Sequence, residues 1–165
     1  MLPISTVFAE RDERRDIPDI LKVPAGNVLL LRAYGQGVQK YACPVSADSK
    51  AVPHAILLAG DGDEGDVVGI HFGGPTWEAL DGSSVVGDAP GAKHFTAPEP
   101  DCLDWLLIRA KSTAGNGLFS RVTYIQRLYT DGGKPPAEGC GQADGQAEVL
   151  VEYSAQYLFY GAATE

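Results

Sequence analysis

The 165-residue sequence predicts one all-β domain, a single antiparallel β-sandwich or flattened β-barrel of about nine or ten strands, with an N-terminal arm. Three observations predict it. First, residues 148–161 alternate in polarity. Val149, Val151, Tyr153, Ala155, Tyr157 and Phe159 fall on one side, and Glu148, Glu152, Ser154 and Gln156 on the other. A period of two marks a strand with one face on a core and one toward water. Leu150, Leu158 and Tyr160 break the pattern. Second, turn signals recur about every ten residues. Third, twenty glycines and eleven prolines exceed the usual combined share of about 12%, an excess that suits turns between many short strands.

Residues 1–23 read as the arm. Leu2, Ile4, Val7 and Phe8 form a small apolar group, and the charged run 9–16 suits two helical turns ended by the Ile17-Pro18 bond. Such an arm packs on its own domain, which is the preferred reading, or on a neighbour as an added strand, which would allow a homo-oligomer through the arm or a sheet edge. The β-domain spans 24–165. Residues 27–34 are apolar and run into Gly35-Gln36-Gly37, and 37–43 alternate, which predicts a hairpin at the glycines. Residues 44–53 read as a loop. Apolar runs at 54–59 and 66–72 flank Gly60-Asp61-Gly62-Asp63-Glu64-Gly65, a second hairpin. Residues 76–80 and 83–86 flank Asp81-Gly82, which suits a two-residue type I′ turn. That turn sets Trp77 opposite Val86 and Glu78 opposite Val85, with Trp77, Ala79, Ser84 and Val86 on one face. Residues 87–101 form a loop with a brief strand at 93–96. Strands at 103–111 and 118–130 are joined by the turn-rich 112–117. A long loop at 131–145 leads to the closing strand, expected to be central.

The formal charge is −9, from 22 acidic and 13 basic residues. The one basic cluster, Arg11, Arg14 and Arg15, is interleaved with Glu10, Asp12, Glu13 and Asp16, so no nucleic acid partner is expected. No stretch approaches the ~20 apolar residues of a membrane span. The apolar patch near the N-terminus follows no basic segment, so no signal peptide is expected. The chain then either stays inside the cell or is a mature extracellular or periplasmic form with an added start methionine.

Gly60, Gly62 and Gly65 match the dinucleotide fingerprint, but that site needs a helix N-terminus where residues 67–72 read as a strand. No cofactor is expected. Asp61, Asp63, Glu64 and Asp66 are calcium candidates. An EF-hand loop starting at Asp61 fails, because Asp66 and Phe72 occupy its glycine and bidentate-acid positions. His54, His71 and His94 have no zinc-ligand spacing. The densest reactive group runs from His71 to Ser84. A small hydrolase or carbohydrate-active protein would use Ser83 or Ser84 as nucleophile, His71 as base and Asp81 as orienter. Glu78 with Asp81 would form a carboxylate pair, and Trp77 with His71 could stack on a ligand ring. The plainer reading makes Trp77 a core anchor and Asp81-Gly82 a turn. It is preferred, because the serines follow a hairpin turn rather than a strained elbow. A bond between Cys43 and Cys140 would tether the long loop and contribute roughly 4–5 kcal/mol on the chain-entropy model, leaving Cys102 free. Three reduced thiols are the alternative.

Four segments carry a resemblance: VPAGNVLLLRAYGQGVQKYAC (23–43), VGIHFGGPTWEALDGSSVVG (68–87), DWLLIRAKSTAGNGLFSRVTYIQRLYTDGGKPPAEGC (104–140) and VEYSAQYLFYG (151–161). In order and together, the chain resembles a family described as a domain of unknown function, found in bacteria and in secreted fungal proteins. The resemblance implies no established activity. Some relatives carry a dehydrogenase name, which does not extend to a chain whose glycine fingerprint fails. It implies an extracellular setting and pairing of Cys43 with Cys140. The expected function is an exported, noncatalytic β-domain that binds a ligand or protein partner, its own copies included.

Overall fold

The computed structural model describes residues 17–136, 140 and 147–164. Its strands are β1 (Asn27–Ala42), β2 (Val52–Ala59), β3 (Val67–Phe72), β4 (Thr76–Ala79), β5 (Ser84–Gly87), β6 (Lys93–Phe95), β7 (Trp105–Ala114), β8 (Val122–Gly132) and β9 (Glu148–Ala162). Their order in the sheet is β5-β4-β3-β2-β1-β9-β8-β7-β6, and β5 also pairs with β7. That last pairing shuts eight strands into an antiparallel barrel and leaves β6 outside it. One edge of β7 serves both neighbours. Its first half takes β6, from Phe95↔Trp105 to Lys93↔Leu107, and its second half takes β5, from Gly87↔Ala110 to Ser84↔Ala114. No helix among the described residues is long and apolar enough to cross a membrane.

The closing strand β9 is central, between β1 and β8. Tyr153, Ala155, Tyr157 and Phe159 point into the barrel and are buried, while Val149 and Val151 near one mouth are half-exposed. Leu158 and Tyr160 break the alternation because the outer face of β9 is also covered. There Leu21, Ala97, Cys102, Trp105, Leu107, Leu128 and Leu158 form a second cluster, with Tyr160 packed against it. The segment over this face includes a 3-10 turn, Asp19–Leu21, whose Leu21 carbonyl accepts from Gln126 Nε2 at 2.8 Å.

Four expectations are corrected. Residues 35–37 make no hairpin: β1 runs through them as one strand. A Cβ on Gly35 would lie 2.5 Å from Tyr157 Cε2, and one on Gly37 would lie 2.1 Å from the His54 carbonyl oxygen. The glycines admit a ring and a neighbouring backbone; they do not turn the chain. The β4–β5 link is a three-residue loop, not a two-residue one. Gly82 N donates to Ala79 O at 3.0 Å and Gly82 has φ +89°, a type I turn followed by a left-handed glycine. The register therefore pairs Trp77 with Val85 and Glu78 with Ser84. The inward set is Trp77, Ala79, Ser83 and Val85, and Ser84 and Val86 point outward. Residues 118–121 form a 3-10 turn, Leu118–Arg121, before β8 begins. Finally, β7 continues to Ala114, because β5 supplies a partner for residues expected to turn. The helical reading of 9–16 lies outside the described residues.

Candidate functional site: the cavity in the barrel mouth

The two ends of the barrel are filled differently. At one end Ala33, Leu57, Val85, Phe119, Ile125 and Phe159 make an apolar plug, with the Phe119 and Phe159 rings 4.6 Å apart. Midway, three rings from three strands form a layer. His71 of β3 stacks on Trp77 of β4, with centroids 4.3 Å apart and planes 10° from parallel. Tyr157 of β9 meets both edge-on, at 5.1 and 5.8 Å. His71 and Trp77 are neighbours because β3 and β4 place them directly opposite each other. Gly87 makes room as well, since a Cβ there would lie 3.2 Å from Trp77 Cζ3 and 2.7 Å from Ile108.

Beyond this layer the barrel opens into a mouth walled by strands and loops. A cavity of about 790 Å³ has the three rings as its floor. Gln39 and Tyr41 of β1, Leu106 and Ile108 of β7, and Arg127 of β8 form its walls. Segments around Lys50, Pro75, Pro90 and Lys134 form the rim. Eight strands enclose a space just wide enough to be packed with side chains or to hold one small ligand.

The floor is uncharged. The Thr76 carbonyl can only accept, so at 2.8 Å His71 Nδ1 carries the proton and Nε2 is left as an acceptor. Burial pushes the His71 pKa down to about 3; the Arg127 charge adds to the fall and the Thr76 bond opposes it. Burial raises the Tyr157 phenol and holds that of Tyr153 well above the ordinary tyrosine value; their hydroxyls are 3.0 Å apart. Burial also raises Tyr41, whose hydroxyl donates to the Gly133 carbonyl. With these shifts none of the groups is a ready base near neutral pH. Arg127 turns Nε and Nη2 onto the Asp104 carbonyl at 3.0 and 2.8 Å. The Asp104 carboxylate faces His94 instead, at 3.1 Å. Gln39 Oε1 and Trp77 Nε1 are buried without a hydrogen-bond partner among the described residues.

The residues of the His71–Ser84 stretch separate into two places. His71 and Trp77 belong to the cavity floor. Asp81 and Ser83 belong to the opposite end of the barrel and do not line the cavity. Asp81 Oδ1 accepts from Ser83 N at 2.8 Å and Ser83 Oγ at 2.6 Å, and its Oδ2 accepts from Leu118 N at 2.8 Å. These bonds hold the Asp81 carboxyl below the usual carboxylate range. Ser83 Oγ in turn accepts from Phe119 N at 2.9 Å. The pair thus ties the β4–β5 loop to the 3-10 turn that delivers Phe119. Glu78 and Ser84 face each other on the outside of the hairpin, both half-exposed. No hydrogen bond joins His71 to Ser83 or Ser84 among the described residues. Trp77 is only 1% exposed and lies against His71, not over an open face.

Asp61, Asp63, Glu64 and Asp66 lie in the β2–β3 link, and no three metal-ligating side chains gather among the described residues. Cys43 and Cys140 are bonded, with Cα atoms 5.8 Å apart, and Cys102 is a buried free thiol. Sequence reasoning missed Gln39, Tyr41, Arg127 and Tyr157 as cavity residues. One signal was available for Arg127: it sits two residues beyond buried Ile125, in the inward phase of β8.

No curated protein and no solved structure matches the chain. A family model does, over residues 58–161, which include the inward faces of β3, β4, β5, β7, β8 and β9. The match spans more than half of the sequence, and the chain therefore belongs to the family described as Protein of unknown function (DUF3455).

Proposed function

We propose that this protein is a noncatalytic binding domain that takes one small molecule into the mouth of its barrel. The observation that carries the reading is the cavity of about 790 Å³ over a buried floor of His71, Trp77 and Tyr157. Small-molecule sites are concave, largely apolar and pre-formed, with volumes of roughly 300–1,000 Å³ and few polar groups. The neutral state of His71 supports binding over acid–base chemistry. The Cys43–Cys140 bond supports an exported protein, because disulfides persist in oxidising compartments. The binding domain in this reading is 24–165, with 1–23 as an arm whose Leu21 packs on the barrel's outer cluster.

The test is a thermal-shift screen of organic acids, sugars, lipids and metal ions, run on the wild type and on Ala92→Trp. Ala92 lines the cavity wall and is half-buried, so an indole there fills the space. A ligand at about one hundred times its Kd should stabilise the wild type by about 2.7 kcal/mol. The variant should lose that shift. A ligand that stabilises both proteins equally binds elsewhere and defeats the reading.

A further inference from the structure

We propose that the cavity takes a small organic anion, an aromatic carboxylate, with Arg127 as the group that holds its charge. This inference rests on the binding reading above and names the class of ligand.

The lining has the opposite charge balance to the molecule. The chain carries −9, yet the charged side chains around the cavity include Lys50, Arg127 and Lys134 against Asp104. Lys50 and Lys134 sit at the rim. Arg127 sits in the wall, part-buried, in the inward phase of β8.

No carboxylate among the described residues forms a salt bridge with Arg127. Asp104 offers it only a backbone carbonyl, and this fixes the fork through Nε and Nη2 while the carboxylate turns to His94. A guanidinium that is part-buried, fixed in direction and without a carboxylate partner among the described residues can turn its remaining N–H groups on a planar carboxylate, the anion replacing a poor solvent shell. The charge also reaches the floor, lowering the pKa of His71 and opposing the rise of Tyr41, Tyr153 and Tyr157.

The rest of the ligand is set by the remaining walls. Leu103, Leu106, Ile108 and Pro75 are apolar, and the floor is aromatic. A flat apolar ring covers such walls with a large contact area. A ring that carries a carboxylate meets both demands.

The experiment is calorimetric titration of the full chain with naphthoate and with its neutral isostere, naphthamide. The wild type should bind naphthoate at least tenfold more tightly. Arg127→Gln should bring the two affinities together by weakening naphthoate alone, and Lys50→Gln with Lys134→Gln should change the ratio by less than threefold. If Arg127→Gln does not fold, Arg127→Lys serves: it keeps the charge, loses the fork, and should cut naphthoate affinity severalfold. Equal wild-type affinities for acid and amide overturn the anion inference and leave the binding reading intact. A preference that survives at Arg127 but vanishes with the rim lysines overturns the role of Arg127. Binding of neither compound overturns the aromatic-carboxylate inference, and the thermal-shift screen decides the binding reading by itself.

Discussion

At the scale of single residues, burial keeps the His71 imidazole neutral, and this should make stability depend on pH. The imidazole takes up a proton near 6.5 when unfolded and only near 3 when native. Between those values the unfolded chain binds more protons, so acid favours unfolding. Stability should be fully present above pH 6.5 and fall by up to about 1.4 kcal/mol per pH unit below it from this group alone. Asp81 acts in the same direction, through a carboxylate held below its ordinary value. His71→Phe keeps a ring against Trp77 and removes the proton site. Urea unfolding at several pH values should show it weaker than wild type at pH 7 and less acid-sensitive from 6.5 to 4. Ser83→Ala makes a second case. Its buried hydroxyl links Asp81 to Phe119 N, so removal should cost about 1–3 kcal/mol in the same assay by leaving a buried N–H without its partner. The roles of these residues were only half legible in the sequence. His71, Asp81 and Ser83 stand close together in the chain, and proximity suggested one site. Alternation along a strand and a three-residue loop send them to different ends of the barrel.

At the scale of elements, the period of two was readable wherever one face is wet, and β9 was found that way. It misled where glycine serves packing. Gly35 and Gly37 look like punctuation, yet β1 crosses them because Tyr157 and the β2 backbone occupy the space where a side chain would be. Gly37→Ala should therefore destabilise by several kcal/mol, since the His54 carbonyl cannot move without breaking the β1–β2 ladder. Gly62→Ala, at an open loop position with nothing within 4 Å, should stay within about 0.5 kcal/mol. Thermal unfolding of the two variants side by side checks the contrast. The Cys43–Cys140 bond joins the segment after β1 to the one before β9, across a sequence separation of 97. Cys43→Ser with Cys140→Ser should lose roughly 4–5 kcal/mol on the chain-entropy model, measured against the oxidised wild type. Buried Cys102 should resist alkylation in both until unfolding begins.

At the scale of the whole molecule, barrel closure creates the cavity, which is why no single segment announced it. Its walls come from β1, β7 and β8 and its floor from β3, β4 and β9, so residues between 39 and 157 in the chain become neighbours only once the sheet has shut. Local patterns report faces and turns; they do not report which inward positions are left unfilled. The pairing of β1 with β9 has one more consequence. It runs from Asn27↔Ala162 to Ala42↔Glu148, joining the first strand of the barrel to the last. During synthesis the early strands can form hairpins in turn, but their sheet must wait with one side unpaired until residue 162 has left the ribosome tunnel. The barrel therefore cannot be assembled vectorially, strand by strand, and a nascent chain stalled before residue 148 should remain protease-sensitive and hold no enclosed space.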